Sequence, residues 1–215
     1  MKIKSLVVGL TLLGMAALFS SCIGLGTKFS TPTDDDLVLG KIKPDDALKR
    51  FGQPYAKTTK ATRDGAYTIY KYDFALSSFG TVSSRVLLLE FKGDVLNAYF
   101  WWSSFSQDKT TVNTNVFEKL QGGIGKLAKA EVLAMAGKPS GKGYCPSTIG
   151  DFKENCETNS EIWDWYMEDH YEINGDAKTP KSQQLSVTFD AEGKVAGVQT
   201  VEFRSLGTAR FFSNQ

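Results

Sequence analysis

Few side chains in this 215-residue chain could do chemistry. His170 is its one histidine, and it stands among Glu168, Asp169 and Glu172. A serine nucleophile needs a histidine base oriented by a third group, and a histidine in so acidic and polar a stretch reads as a surface residue. The acids between Glu161 and Asp176 lack the Asp-x-Asp-x-Asp-Gly spacing of a calcium loop. Gly122-Gly123-Ile124-Gly125 is followed by no Lys-Ser/Thr, so it is not a phosphate loop. The cysteines are Cys22, Cys145 and Cys156, and zinc would need further soft ligands that the sequence does not offer nearby. No catalytic constellation, metal site or cofactor site follows, and the expectation is a protein that is not an enzyme. What remains is contact chemistry. Tyr99-Phe100-Trp101-Trp102, with Val86 and Leu88 on the preceding strand, is a dense aromatic and aliphatic set suited to binding a partner.

The chain opens with Lys2 and Lys4, an apolar run from Leu6 to Phe19, and Ser20-Ser21-Cys22. This order reads as a secretory signal over residues 1–21, too short and too early for a membrane-spanning helix. Ser-Ser-Cys is similar to a bacterial lipobox, with Phe19 in place of the more usual Leu. The resemblance implies cleavage before Cys22 and lipidation of its sulfur by a diacylglycerol, with palmitate among the acyl chains. Plain secretion with Cys22 as a bystander is the alternative. Assigning Cys22 to the lipid leaves Cys145 and Cys156, which can form a disulfide in an oxidising periplasm. Closing that loop would stabilise by roughly 3 kcal/mol in the chain-entropy model. Ile23 is not the aspartate associated with inner-membrane retention, so a two-membrane cell would place the protein in its outer membrane. Cleavage removes two of the 25 basic residues and none of the 24 acidic ones, leaving 23 against 24. Without a basic face, a nucleic-acid partner is excluded.

The elements that position the aromatic set are written twice. Ala47-Leu48-Lys49-Arg50-Phe51-Gly52-Gln53-Pro54 is echoed by Val132-Leu133-Ala134-Met135-Ala136-Gly137-Lys138-Pro139, 85 residues on. Each reads as a short helix stopped by a glycine in a left-handed conformation, with Pro preventing its continuation. Ile69 to Phe74 corresponds to Ile162 to Met167, and Leu87 to Phe91 to Leu185 to Phe189. With Gly93-Asp94-Val95 corresponding to Gly193-Lys194-Val195, four markers in one order mean an internal duplication. The reading is a tether over 22–36, a first repeat over 37–104, a linker over 105–115 and a second repeat over 116–215.

Strand alternation puts Tyr70, Tyr72 and Phe74 on one face, and Trp163, Trp165 and Met167 on its counterpart. Leu87, Leu89 and Phe91 match Leu185, Val187 and Phe189, so those faces are core. The opposite face is polar in the second repeat (Gln184, Ser186, Thr188) but apolar in the first (Val86, Leu88). Strands apolar on both faces are normally covered on both, here by the other repeat or by a partner.

A Gly-x-x before the helix, a Gly-x-Pro after it, an aromatic strand and a Phe-turn-Val hairpin resemble the SmpA/OmlA family of small outer-membrane lipoproteins. The duplication is similar to that of the β-lactamase inhibitory protein. Lys43 and Ala128 stand where that family usually caps the helix with Thr or Ser. The resemblance implies an α+β fold of two tandem helix-helix-three-strand antiparallel repeats, and allows one continuous concave sheet. It also implies an assembly accessory that binds envelope proteins at the outer membrane. A second reading is a module that captures or inhibits a secreted or periplasmic enzyme through an aromatic concave sheet. Peptidoglycan or other carbohydrate binding through stacked aromatics is the third.

Overall fold

The computed structural model describes residues 23–78, 81–108, 116–149, 157–168 and 181–204. These form nine strands and three short α-helices. The strands are β1 Ile23–Gly26, β2 Ala56–Thr62, β3 Gly65–Ser78, β4 Thr81–Lys92, β5 Val95–Ser103, β6 Gly141–Tyr144, β7 Glu161–Glu168, β8 Lys181–Phe189 and β9 Val195–Arg204. The helices are α1 Pro44–Phe51, α2 Phe117–Gly122 and α3 Lys129–Ala136. A single antiparallel sheet runs β1-β3-β4-β5-β6-β7-β8-β9, with β2 also paired to β3.

The α+β reading of two helix-helix-three-strand repeats is therefore corrected. One nine-stranded sheet dominates the molecule, and its helices are six to eight residues long. Each repeat supplies four strands to the sheet, β2 to β5 and β6 to β9, and among the described residues the first has no second α-helix, only a 3-10 turn at Asp35–Leu37. Two physical reasons explain the difference. Gly52 and Gly137, both at φ 81°, end α1 and α3 after about two turns. The added strands, β2 (AKTTKAT) and β6 (GKGY), have no apolar stripe. Backbone pairing to β3 and β7 makes them strands, and side-chain periodicity does not report backbone pairing.

The two halves share local features. α1 and α3 begin with an acid in place of a hydroxyl cap: Lys43 N–H donates to Asp46 (3.0 Å) and Ala128 N–H to Glu131 (2.8 Å). Gly40 N–H donates to the Leu96 carbonyl at 2.8 Å, and Gly125 N–H to that of Val195 at 2.8 Å. A bulge interrupts β4 at Glu90/Phe91 and β8 at Thr188/Phe189.

Helices cover one face of the sheet. Under α1, Phe51 and Ala47 meet Tyr70, Tyr72, Leu87, Leu89 and Phe91. Under α2 and α3, Leu120, Val132 and Ala136 meet Trp163, Trp165, Leu185, Val187 and Phe189. The two alternating core faces thus lie where the sequence places them; the burial of Met167 lies outside the description.

The amino-terminal segment does not behave as a tether. Ile23–Gly26 pairs with β3, and Phe29 is buried against Phe51, Tyr72 and Trp101. Asp36, in the acidic triplet, accepts from Arg50 Nε at 2.8 Å and from Thr33. The start of the linker is also packed. Phe105 stacks on Phe74, and Asp108 accepts from Arg85 Nε at 2.6 Å.

Candidate functional site

The aromatic set on β5 is divided between the two faces of the sheet. Tyr99 and Trp101 face the first helical core, whereas Phe100 and Trp102 join Ile69, Val86, Leu88, Ala98 and Ile149 on the helix-free face. Alternation forces this division, because successive side chains of a strand point to opposite sides. Val86, Leu88 and Tyr99 are buried, while Phe100, Trp101 and Trp102 are half-buried. The six residues therefore do not make one exposed row. Only Phe100 and Trp102 keep open surface on the helix-free face.

Those two continue across the joint between the repeats. The joint is β5 with β6, paired through Ala98 with Gly143, Tyr99 with Lys142 and Phe100 with Gly141. The approach is so close that a Cβ on Gly143 would stand 2.6 Å from that of Ala98, and one on Gly141 would stand 2.7 Å from the Tyr99 carbonyl oxygen. Beyond β6, Tyr166 of β7 meets Phe100 edge-on at 5.9 Å and Trp102 at 6.2 Å. Cross-strand register carries the same face outward through Ala75 and Ser84 to Leu25 and Val82, which are 65% and 63% exposed. The result is an aromatic centre with an aliphatic flank and, among the described residues, no helix above it.

At its other end this face is closed by the turn after β6. Glu90, fully buried, accepts from Asn97 Nδ2 (2.9 Å), Thr148 N–H (2.6 Å) and Thr148 Oγ1 (2.5 Å). Tyr67 Oη donates to the Pro146 carbonyl at 3.3 Å, and Ile149 is buried over the apolar residues beneath. Cover for the apolar second face of the first repeat thus comes from the second repeat. Sequence reasoning missed Glu90 and Thr148, since a carboxylate between Leu89 and Phe91 gives no sign of which loop supplies its donors.

Cys145 opens this turn and is disulfide-bonded. Cys156, the proposed other sulfur, lies outside the described residues, as do Cys22 and His170. Among the described residues no group of three or more His, Cys, Asp or Glu could hold a metal, and no helix is long and apolar enough to cross a membrane.

Comparison with known proteins adds little. No family model and no curated protein matches the chain. Among solved structures, a crystal structure described as a "putative beta-lactamase inhibitor protein" from Streptococcus mutans is similar over 80% of this chain and 90% of that one. The identity is 11% and the TM-score 0.42.

Proposed function

We propose that this protein is a non-enzymatic envelope lipoprotein, anchored through Cys22, that binds a protein partner across the helix-free face of its sheet. One observation carries the reading. Phe100, Trp102 and Tyr166 meet over the joint between the repeats, flanked on the same face by exposed Leu25 and Val82. Aromatic side chains centred in a patch and ringed by smaller contacts are the usual anchors of protein interfaces. An assembly accessory and a capturing or inhibitory module would both use this face, and the recovered partner distinguishes them. Carbohydrate stacking is less well supported, because Tyr99 and Trp101 lie on the opposite face from Trp102.

The test is in vivo crosslinking and pull-down from intact envelopes with wild type, Trp102→Ala and Trp101→Ala. Both variants lose an indole of the same strand, but only the first alters the proposed surface. A partner kept by Trp101→Ala and lost by Trp102→Ala, with both variants folded by near-ultraviolet circular dichroism, supports the reading. Equal recovery by both variants refutes it. Barrel-assembly proteins in the wild-type sample would make the protein an accessory, and an enzyme would make it a capturing module.

A further inference from the structure

On the helix side of the same joint, two polar groups are left without the partners their burial calls for. Tyr99 and Lys142 are cross-strand partners on β5 and β6 and project to that side. Tyr99 is only 7% exposed, yet its hydroxyl has no hydrogen bond to any described residue. A buried hydroxyl without a partner is costly and uncommon. Lys142 is half-buried, with Nζ 4.3 Å from the centroid of the Trp163 ring and no carboxylate within ion-pair distance among the described residues.

Both tips lie in the field of the same two carboxylates, Asp34 and Glu161. Those two are already engaged. Glu161 takes Lys129 Nζ at 2.5 Å and the Trp163 indole N–H at 2.6 Å, and Asp34 takes Lys138 Nζ at 2.6 Å. Three lysines therefore face two acids, and the surplus positive charge falls on Lys142. Desolvation holds the Lys142 ammonium below its ordinary pKa, with Lys129 and Lys138 adding repulsion and the two acids opposing it. Burial pushes the Tyr99 phenol far above its usual range, so it remains an O–H donor.

We propose that Tyr99 and Lys142 form a binding site for a single carboxylate in the seam between the two repeats, with the Trp163 ring as its wall. The ligand must be an acceptor, because the Lys142 ammonium can only donate, and the Tyr99 hydroxyl can donate beside it. It must carry one negative charge, because the surplus is one and Asp34 and Glu161 would repel a dianion such as phosphate. A side-chain or terminal carboxylate of a peptide meets both conditions. This site lies on the face opposite the proposed protein-binding patch and does not depend on it.

The duplication supplies an internal control. Lys57 over Tyr70, at 5.3 Å, is the first repeat's counterpart of Lys142 over Trp163. Lys57 lies on β2, which pairs only with β3, so no tyrosine from a neighbouring strand closes over it. The experiment uses the mature chain labelled with nitrogen-15, titrated with sodium acetate against sodium chloride at constant ionic strength. The Trp163 indole N–H resonance reports binding. The expected result is a saturable shift with a millimolar midpoint for acetate and none for chloride. The midpoint should weaken about tenfold in Lys142→Met, weaken about fivefold in Tyr99→Phe, and stay unchanged in Lys57→Met. If Lys142→Met fails to fold, Tyr99→Phe decides alone, because it removes one oxygen and no packing. A wild-type shift absent, non-saturating or reproduced by chloride overturns the site, as does a wild-type midpoint in the folded variants.

Discussion

Tyr72 Oη and Trp165 Nε1 each donate to the carbonyl of the glycine that ends the helix above them, Gly52 at 3.2 Å and Gly137 at 2.9 Å. Two different side chains thus hold the Gly-x-Pro turn to the aromatic strand at equivalent places. Trp165→Phe should cost about 1 kcal/mol in urea denaturation beyond the loss of ring area, and Tyr72→Phe a similar amount, because each frees a partly buried carbonyl. No change in midpoint for either would show the contact to be idle. Asp108 responds to acid. Burial raises its pKa, but donation from Arg85, Ser103 and Thr31 outweighs this and leaves it below the ordinary 3.8; Asp36, half-buried but held by Arg50 and Thr33, shifts the same way. A carboxyl depressed in the folded state contributes its stability above the unfolded value and loses it as pH falls through the folded one. Thermal melts should therefore be insensitive to these groups above about pH 5 and fall steeply below about pH 4. In Asp108→Asn that acid slope should be shallower.

At the scale of elements, β2 and β6 are the same strand of the repeat in two situations. Ala56 and Thr58 of β2 occupy the places of Gly141 and Gly143 in β6. Only the glycines lie against β5, where a side chain would collide with Tyr99 and Ala98. Gly143→Thr, which writes the β2 residue into β6, should cost about 1–3 kcal/mol by overpacking and open the β5–β6 amides to hydrogen exchange. Thr58→Gly on the free edge should leave those amides protected. Equal exchange in the two variants would mean that the glycines do not make the joint. β4 and β5 are apolar on both sides, whereas β8 carries Gln184 and Ser186, which are buried beside Asp164 of β7 and donate to its Oδ1 at 3.3 and 2.7 Å.

For the whole molecule, the packed amino-terminal segment changes what a lipid on Cys22 would do. β1 begins at the next residue, so the sheet edge would sit at the membrane with no spacer. The mature protein should fractionate with the outer membrane and carry a diacylglyceryl mass on its first residue, and Cys22→Ala should release it to the periplasm. Inner-membrane recovery would refute the placement. A thiol count on unreduced mature protein should find neither Cys145 nor Cys156 reactive; one free thiol would break the proposed pairing.

The sequence by itself determined the duplication, the stops at Gly52 and Gly137, and the inward faces of the aromatic and Leu-rich strands. Each is a local matter of backbone conformation or alternation, and spacing reports it directly. The tertiary structure alone decided the rest. β2 and β6 are strands because of backbone pairing, which leaves no apolar period. Phe29 and Phe105 are packed because distant partners, Phe51, Tyr72 and Phe74, provide cavities for them. The aromatic set was legible as a cluster but not as a site. Which of its members keep open surface, and which lie beside Lys142, depends on the register of β5 against β6. That register is set by two glycines more than 40 residues away along the chain.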